Sequence, residues 1–285
     1  MSTIGNLEQR FIQTGLKGVV SDYIKNPSDE ALDYITKKIR SSMTLYILWY
    51  DNIDLPYLEV VKGQGFVASV FSDYDVANGY LQKKQSEGYE VSLQEVVGGK
   101  KRMEFFAYIQ ESGATTILID LSLYQSLRSY LPARQMDGFT EKTPLKNQTL
   151  NAVLSYYIQQ GSVDQLTEAT EKKMFQLMQT CHFYMPVIID ADIATRGDGD
   201  ATNCDYPVFQ DDEELNFMKC FTDDNQFVAN LGTSPYVAVA FDFMSMFKML
   251  QDYRLEYILL NNETHCMFLD KKTFLDIMNK YPHQG

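Results

Sequence analysis

Tyr206 to Asn216 reads YPVFQDDEELN: a short apolar run, a break at Gln210, then carboxylates at 211–214 where a helix would open. Ser69 to Gly79 reads SVFSDYDVANG with the same pattern, and Phe71 and Phe209 stand 138 positions apart. The same offset lays Phe183 to Val187 (FYMPV) over Leu45 to Trp49 (LYILW), so two strands and a helix start recur in register. Self-similarity at a fixed offset is the mark of duplicated units. The expectation is an α/β (α+β) chain of two tandem repeats, each a small mixed β-sheet flanked by helices. The first repeat should span 1–131 and the second 147–285. Between them, 132–146 (PARQMDGFTEKTPLK) has two prolines, a glycine and no periodicity, the composition of a linker. A length of 285 residues with 45% hydrophobic content suffices for two such cores.

Charge narrows the function. Lys and Arg number 25 against 38 Asp and Glu, a net charge of −13. Phosphate contacts demand the opposite balance, so nucleic acid is not an expected partner and a basic protein surface is. The start, MSTIGNLEQRF, lacks a basic segment followed by an apolar run, and no stretch reaches the roughly 18 apolar residues of a membrane span. Cys181, Cys204, Cys220 and Cys266 show no CxxC spacing, as expected of reduced thiols. Together these features point to a cytoplasmic protein with no membrane partner, no cofactor, no bound metal and no structural disulfide.

Periodicity places the elements. Helices are expected over 6–25, with Gly15 and Gly18 weakening the middle, and after Ser28; strands at 45–50 and 66–71; and a helix over 73–86 opened by Ser72 and Asp73. A strand at 89–97, a helix over 100–110, a strand at 115–119 and a closing helix over 122–131 complete the first repeat. The second repeat should bring helices 148–160 and 163–179, strand 182–189, a polar loop 190–205, strand 206–209 and helix 211–220. A strand near 226–230 or 236–241, a helix to about 253, a hairpin and a helix over 270–280 follow. Met267 to Asp270 matches Ile117 to Asp120 at an offset of 150, so the second repeat holds 12 extra residues. The reading puts them in a hairpin of 256–260 and 265–269 around Asn261 to Thr264, where the first repeat would have one strand.

The order FYMPVII, variable loop, YPVFQDDEELN and YILLNNETHCMFLDKKTF resembles the SseB family, named for enhanced serine sensitivity, over roughly 180–278. The most specific part is the Pro-Val-Phe-x-Asp-x-Glu-Glu-Leu run at 207–215, with Leu260-Asn261 at a turn where Asn262 replaces the family's proline. The first repeat is a diverged version, with Trp49, Tyr50 and Asp51 where the second has a strand containing Pro186. The resemblance implies an α/β domain of bacterial type without catalytic residues to carry over. The expected role is a non-catalytic interaction or adaptor module. The alternative is a small-ligand or anion binder, or an enzyme, with a site between the repeats.

Five features carry chemistry worth weighing. Loop 190–205 holds Asp190, Asp192, Asp198, Asp200 and Asp205, but the EF-hand pattern fails: six residues after Asp198 comes Cys204, where no ligand belongs, and position twelve is Phe209 instead of a bidentate Glu, so a solvated connector is the simpler reading. Gly98, Gly99, Lys100 and Lys101 at a strand-to-helix junction could hold an anion, without a Walker pattern to support it. His182, His265 and His283 are too scattered for a base-nucleophile pair. The stripe Phe243, Met244, Met246, Phe247, Met249 and Leu250 reads as core, with an adaptable binding face as the other use of methionine. Between Asp190 and Asp224 eleven carboxylates face only Arg196 and Lys219. Asp198, Asp200, Asp223 and Asp224 are therefore the expected acidic surface for a basic partner.

Overall fold

The structure, a computed structural model, describes residues 3–41, 43–98, 100–130, 147–189, 204–232, 236–261 and 266–281. It is an α/β protein of two compact units: Met1–Asp137 with Gln159–Gln165, and Gly138–Ile158 with Leu166–Gly285. Among the described residues no helix is long and apolar enough to cross a membrane.

The first unit opens with helices α1 (Thr3–Lys25) and α2 (Asp29–Ser41). Gly15, at φ 67°, kinks α1 where the sequence weakens it, and Ser28 caps α2 by accepting from the Ala31 N–H. Strands β1 (Leu45–Tyr50), β2 (Leu55–Pro56), β3 (Leu58–Val61) and β4 (Gly65–Phe71) lead to α3 (Tyr74–Ser86), then β5 (Val91–Val96), α4 (Lys100–Glu111), β6 (Thr116–Ile119) and β7 (Leu123–Ser126). Strand β1 lies between β5 and β4, both antiparallel, while β6 runs parallel to β4 and pairs antiparallel with β7. The order is β5-β1-β4-β6-β7. The closing helix expected over 122–131 is instead strand β7 and a single 3-10 turn at Leu127–Ser129. Asp120 and Leu121, at φ 46° and 55°, turn the chain straight back on β6, so the apolar residues that follow pair with a strand before a helix can start.

The second unit has α5 (Gln148–Ser162) and α6 (Glu168–Thr180), then β8 (His182–Ile189), β9 (Cys204–Asp205), β10 (Phe209–Gln210), β11 (Asn216–Cys220), α7 (Asp224–Leu231), β12 (Tyr236–Asp242), α8 (Phe243–Asp252), β13 (Tyr257–Leu260), β14 (Met267–Asp270) and α9 (Lys271–Lys280). Strand β12 pairs antiparallel with β8, β13 runs parallel to β11, and β14 pairs antiparallel with β13. A bridge between Tyr184 and Phe221 joins the end of β11 to β8. That bridge sets the three-stranded sheet β12-β8-β9 beside the four-stranded sheet β10-β11-β13-β14, giving the order β12-β8-β11-β13-β14 across the two.

The deciding stretch does not form the expected helix. Asp211 to Leu215 is the turn of a hairpin: Asp211 Oδ1 accepts from the Glu213 and Leu215 N–H groups, and Glu214 sits at φ 61°. A short carboxylate bonding the backbone two residues on offers the chain a turn in place of a helix. The register across it changes accordingly. Tyr46 pairs with Phe71 and Tyr184 with Phe221, so Phe71 corresponds to Phe221, 150 positions on. Phe209 stands opposite Phe217 as Glu59 stands opposite Val67. Phe71 and Phe221 are fully buried and Phe209 only half so.

The hairpin expected only in the second repeat occurs in both units, as β6-β7 and β13-β14. Four residues join Tyr50 to its successor in pairing, Leu55, whereas Ile188 and Asp205 are separated by sixteen. The extra twelve therefore fall between β8 and β9, in the acidic segment. That segment (190–203), the expected linker 132–146 and the hairpin tip 262–265 lie outside the described residues.

Candidate functional site

In the first unit, alternation along β1 sends Leu45, Ile47 and Trp49 to one face of the sheet, beside their β5 partners Val96, Gln94 and Ser92. Helix α4 lies over β5 and β2 and brings Phe105, buried, and Tyr108, exposed, to this face. After β1 the chain turns through Asp51 to Asp54, and Asp54 takes φ 51°, a conformation Asp and Asn tolerate better than most residues. That turn brings the Asp54 carboxylate back over the strand, where Oδ1 accepts the Trp49 indole N–H at 2.7 Å.

The result is a cavity of about 330 Å³ lined by Trp49, Asp54, Gln94, Glu95, Val96, Phe105 and Tyr108. The Trp49 and Tyr108 rings stand edge to face, with centroids 6.0 Å apart and planes at 82°. Glu95 pairs with Tyr46 on the opposite face, where burial first and its carboxylate second push the Tyr46 hydroxyl up. Among the described residues, Asp54 is thus the carboxylate that lines the cavity on the Trp49 face of the sheet. Among the described residues the cavity's walls are the Trp49, Phe105 and Tyr108 rings with Val96, and the polar side chains lining it on this face are Asp54, Gln94 and the Tyr108 phenol. This is the composition of a recognition pocket at the small end of the usual range of about 300–1,000 Å³.

The residues singled out by sequence lie elsewhere. Gly98 lies in the bend two residues after β5, Gly99 is outside the described residues, and Lys100 and Lys101 occupy the first turn of α4 with side chains that are likewise outside. Asp198 and Asp200 lie outside too. Asp223 is no part of an exposed acidic surface. It is 7% exposed and caps α7: Oδ1 accepts from the Gln226 N–H, and Oδ2 from Asn151 Nδ2 and the Thr222 hydroxyl. Burial pushes its carboxyl up. Asp224, half-buried, is in the first turn of the same helix, where a carboxylate suits the macrodipole. The apolar stripe of α8 is core: Phe243, Met246, Met249 and Leu250 are buried, Phe243 and Phe247 pack on Phe274, and Met244 is exposed. Cys181, Cys220 and Cys266 are free thiols. Among the described residues no group of three or more His, Cys, Asp or Glu is placed to hold a metal ion.

A second cluster in the first unit is closed rather than open. Lys84, 7% exposed, sits 3.0 Å from Glu59 and from Glu87, with the Tyr57, Tyr80 and Tyr89 rings 5.4–5.8 Å from its ammonium. Burial pulls its pKa down, and the two carboxylates more than reverse this. Residues 159–165 complete the cluster: Leu58 N–H donates to Gln159 Oε1, Gln160 Nε2 to the Tyr89 hydroxyl, and that hydroxyl to Gln165 Oε1. The Lys84 ammonium and the Tyr89 hydroxyl both have their partners within the cluster.

Sequence reading missed the Trp49 pocket, because its parts come from β1, the following turn, β5 and α4. The available signal was the chain's single tryptophan, directly before a Tyr-Asp-Asn-Ile-Asp turn.

No family model matches the chain, and no curated protein does. Two solved structures show a distant likeness. Tic22 from Plasmodium falciparum is 12% identical, with 86% of this chain and 96% of that one covered at a TM-score of 0.20. Anabaena Tic22, described as a protein of protein transport, is 12% identical, with 76% and 85% covered at a TM-score of 0.20. Likeness at that level bears on neither the fold nor the task of this chain.

Proposed function

We propose that the chain is a non-catalytic recognition module, an SseB-like cytoplasmic protein of two duplicated units that works by binding a protein partner through its surface. The observation that carries the reading is the Trp49 pocket. Rigid aromatic walls with one positioned carboxylate are suited to gripping a side chain, since rings supply contact area at low entropic cost. Support for the duplication comes from the shared strand order and from paired caps, Asp73 and Asp223, each accepting the N–H three residues on. The SseB likeness rests on the 207–215 run.

Trp49 is the chain's one tryptophan, so its emission reports occupancy of the pocket. The test titrates the protein with blocked tripeptides carrying a central Arg, Lys, Glu, Phe or Leu, and separately with nucleotides and common metabolites. A saturable change with a peptide, lost in Tyr108→Ala, supports recognition. Saturation by none of the peptides, with or without a response to metabolites, overturns it.

A further inference from the structure

The geometry points to a single ligand group for the Trp49 pocket: the guanidinium of an arginine on the partner chain. The inference rests on the recognition reading above and adds the chemistry of the occupant. Three features converge on a cation. The Trp49 and Tyr108 rings border the cavity at right angles, and a cation held within about 6 Å of an aromatic face is attracted to it. Asp54 spends Oδ1 on the Trp49 indole, which fixes the carboxylate in place, and Oδ2 accepts no hydrogen bond among the described residues. Among the described residues lining the cavity there is no lysine or arginine to neutralise that carboxylate.

The shape selects arginine among cations. A cavity of about 330 Å³ takes one long side chain, not a folded segment. Guanidinium is planar, weakly hydrated and stacks on rings, whereas an ammonium must shed a tighter water shell to enter the same space. Its several N–H groups can donate to Asp54 Oδ2 and to the Gln94 amide oxygen together. The net charge of −13 would draw a basic segment toward the molecule before this contact forms.

The test follows Trp49 emission of the full chain during titration with acetyl-Gly-Arg-Gly-amide and with its citrulline counterpart, which keeps size and shape but not charge. The expected result is saturation by the arginine peptide, with citrulline at least about tenfold weaker, and a similar loss for arginine in Asp54→Asn. Asparagine tolerates the positive φ at that position, so the variant should melt like the parent. Equal binding of arginine and citrulline, or an unchanged affinity in Asp54→Asn, overturns the cationic occupant and leaves a recognition pocket for neutral groups. A lysine peptide that binds as tightly as arginine overturns the choice of guanidinium. Binding of the Phe or Leu peptide without the Arg peptide overturns this inference while the recognition reading stands, and silence toward every peptide overturns both.

Discussion

Asp120 and Asn261 perform the same task in their respective units: each follows a parallel strand at φ near 45°, and each holds the backbone N–H just after the neighbouring strand's buried phenylalanine. Ser72 N–H donates to Asp120 Oδ1 at 2.7 Å and Thr222 N–H to Asn261 Oδ1 at 3.0 Å. In the first unit the acceptor is charged, and burial pushes its carboxyl up although Ser72 donates to both oxygens. Since the folded pKa is raised, the native state holds its proton longer than the unfolded chain, and stability falls as pH climbs through that window. Asp120→Asn should therefore fold, with a Tm at pH 7 equal to or above the parent and an advantage that shrinks toward pH 4. Asp120→Ala should lose about 1–3 kcal/mol by stranding the Ser72 N–H. Thermal melts between pH 4 and 7 follow the Asn variant and urea unfolding measures the Ala loss, and a destabilised Asn variant would count against a shared role.

The corrected register separates two phenylalanines that look alike in sequence. Phe71→Ala and Phe221→Ala each empty a fully buried site and should cost about 3–5 kcal/mol. Phe209→Ala, at a half-buried position in a two-residue strand, should cost clearly less. Equal losses at Phe71 and Phe209, with a mild one at Phe221, would restore the 138 offset.

Lys84→Met should cost about 2 kcal/mol, because it leaves Glu59 without its ion pair among tyrosine rings while the methionine keeps most of the packing. Adding Glu59→Gln to it should recover part of that loss. A double variant no better than the single one would show that the ring contacts, not the ion pair, hold the cluster.

Asp270 caps α9 through the Thr273 N–H and Asp242 caps α8 through the Ser245 N–H; the Thr273 hydroxyl first and its N–H second hold the Asp270 carboxyl below the usual range, and the Ser245 N–H does so for Asp242. A lowered folded pKa contributes stability that is complete above the ordinary carboxylate pKa of about 3.9 and is lost as pH falls through the lowered value. Asp270→Ala should thus cost about 1 kcal/mol at pH 7, with parent and variant converging in strong acid. A gap that persists there would assign the effect to packing.

Much of the fold is legible in the sequence where local signals are strong. Ser28 and Asp73 announce their helices, and LYILWY and GFVASVF can be little other than buried strands. The 207–215 run misleads because its carboxylates serve a helix start and a turn equally well by type. Only pairing with β11 decides between them. Ser122 to Leu131 misleads for the same reason, a strand whose partner lies on the preceding segment. The pocket is illegible because Trp49 and Tyr108 lie 59 positions apart, and nothing in either neighbourhood records that α4 closes over the end of β1.

Residues 159–165 bear on how the chain is made. The first 137 residues emerge from the ribosome before Gln159, Gln160 and Gln165 do, the acceptors and donor that Leu58 and Tyr89 use. Until then the nascent amino-terminal half exists with the Leu58 amide and Tyr89 hydroxyl solvated, a state in which chaperones and proteases meet an unfinished surface. A fragment ended within 132–146 reproduces that state permanently. It should unfold at lower temperature than one carried through residue 165.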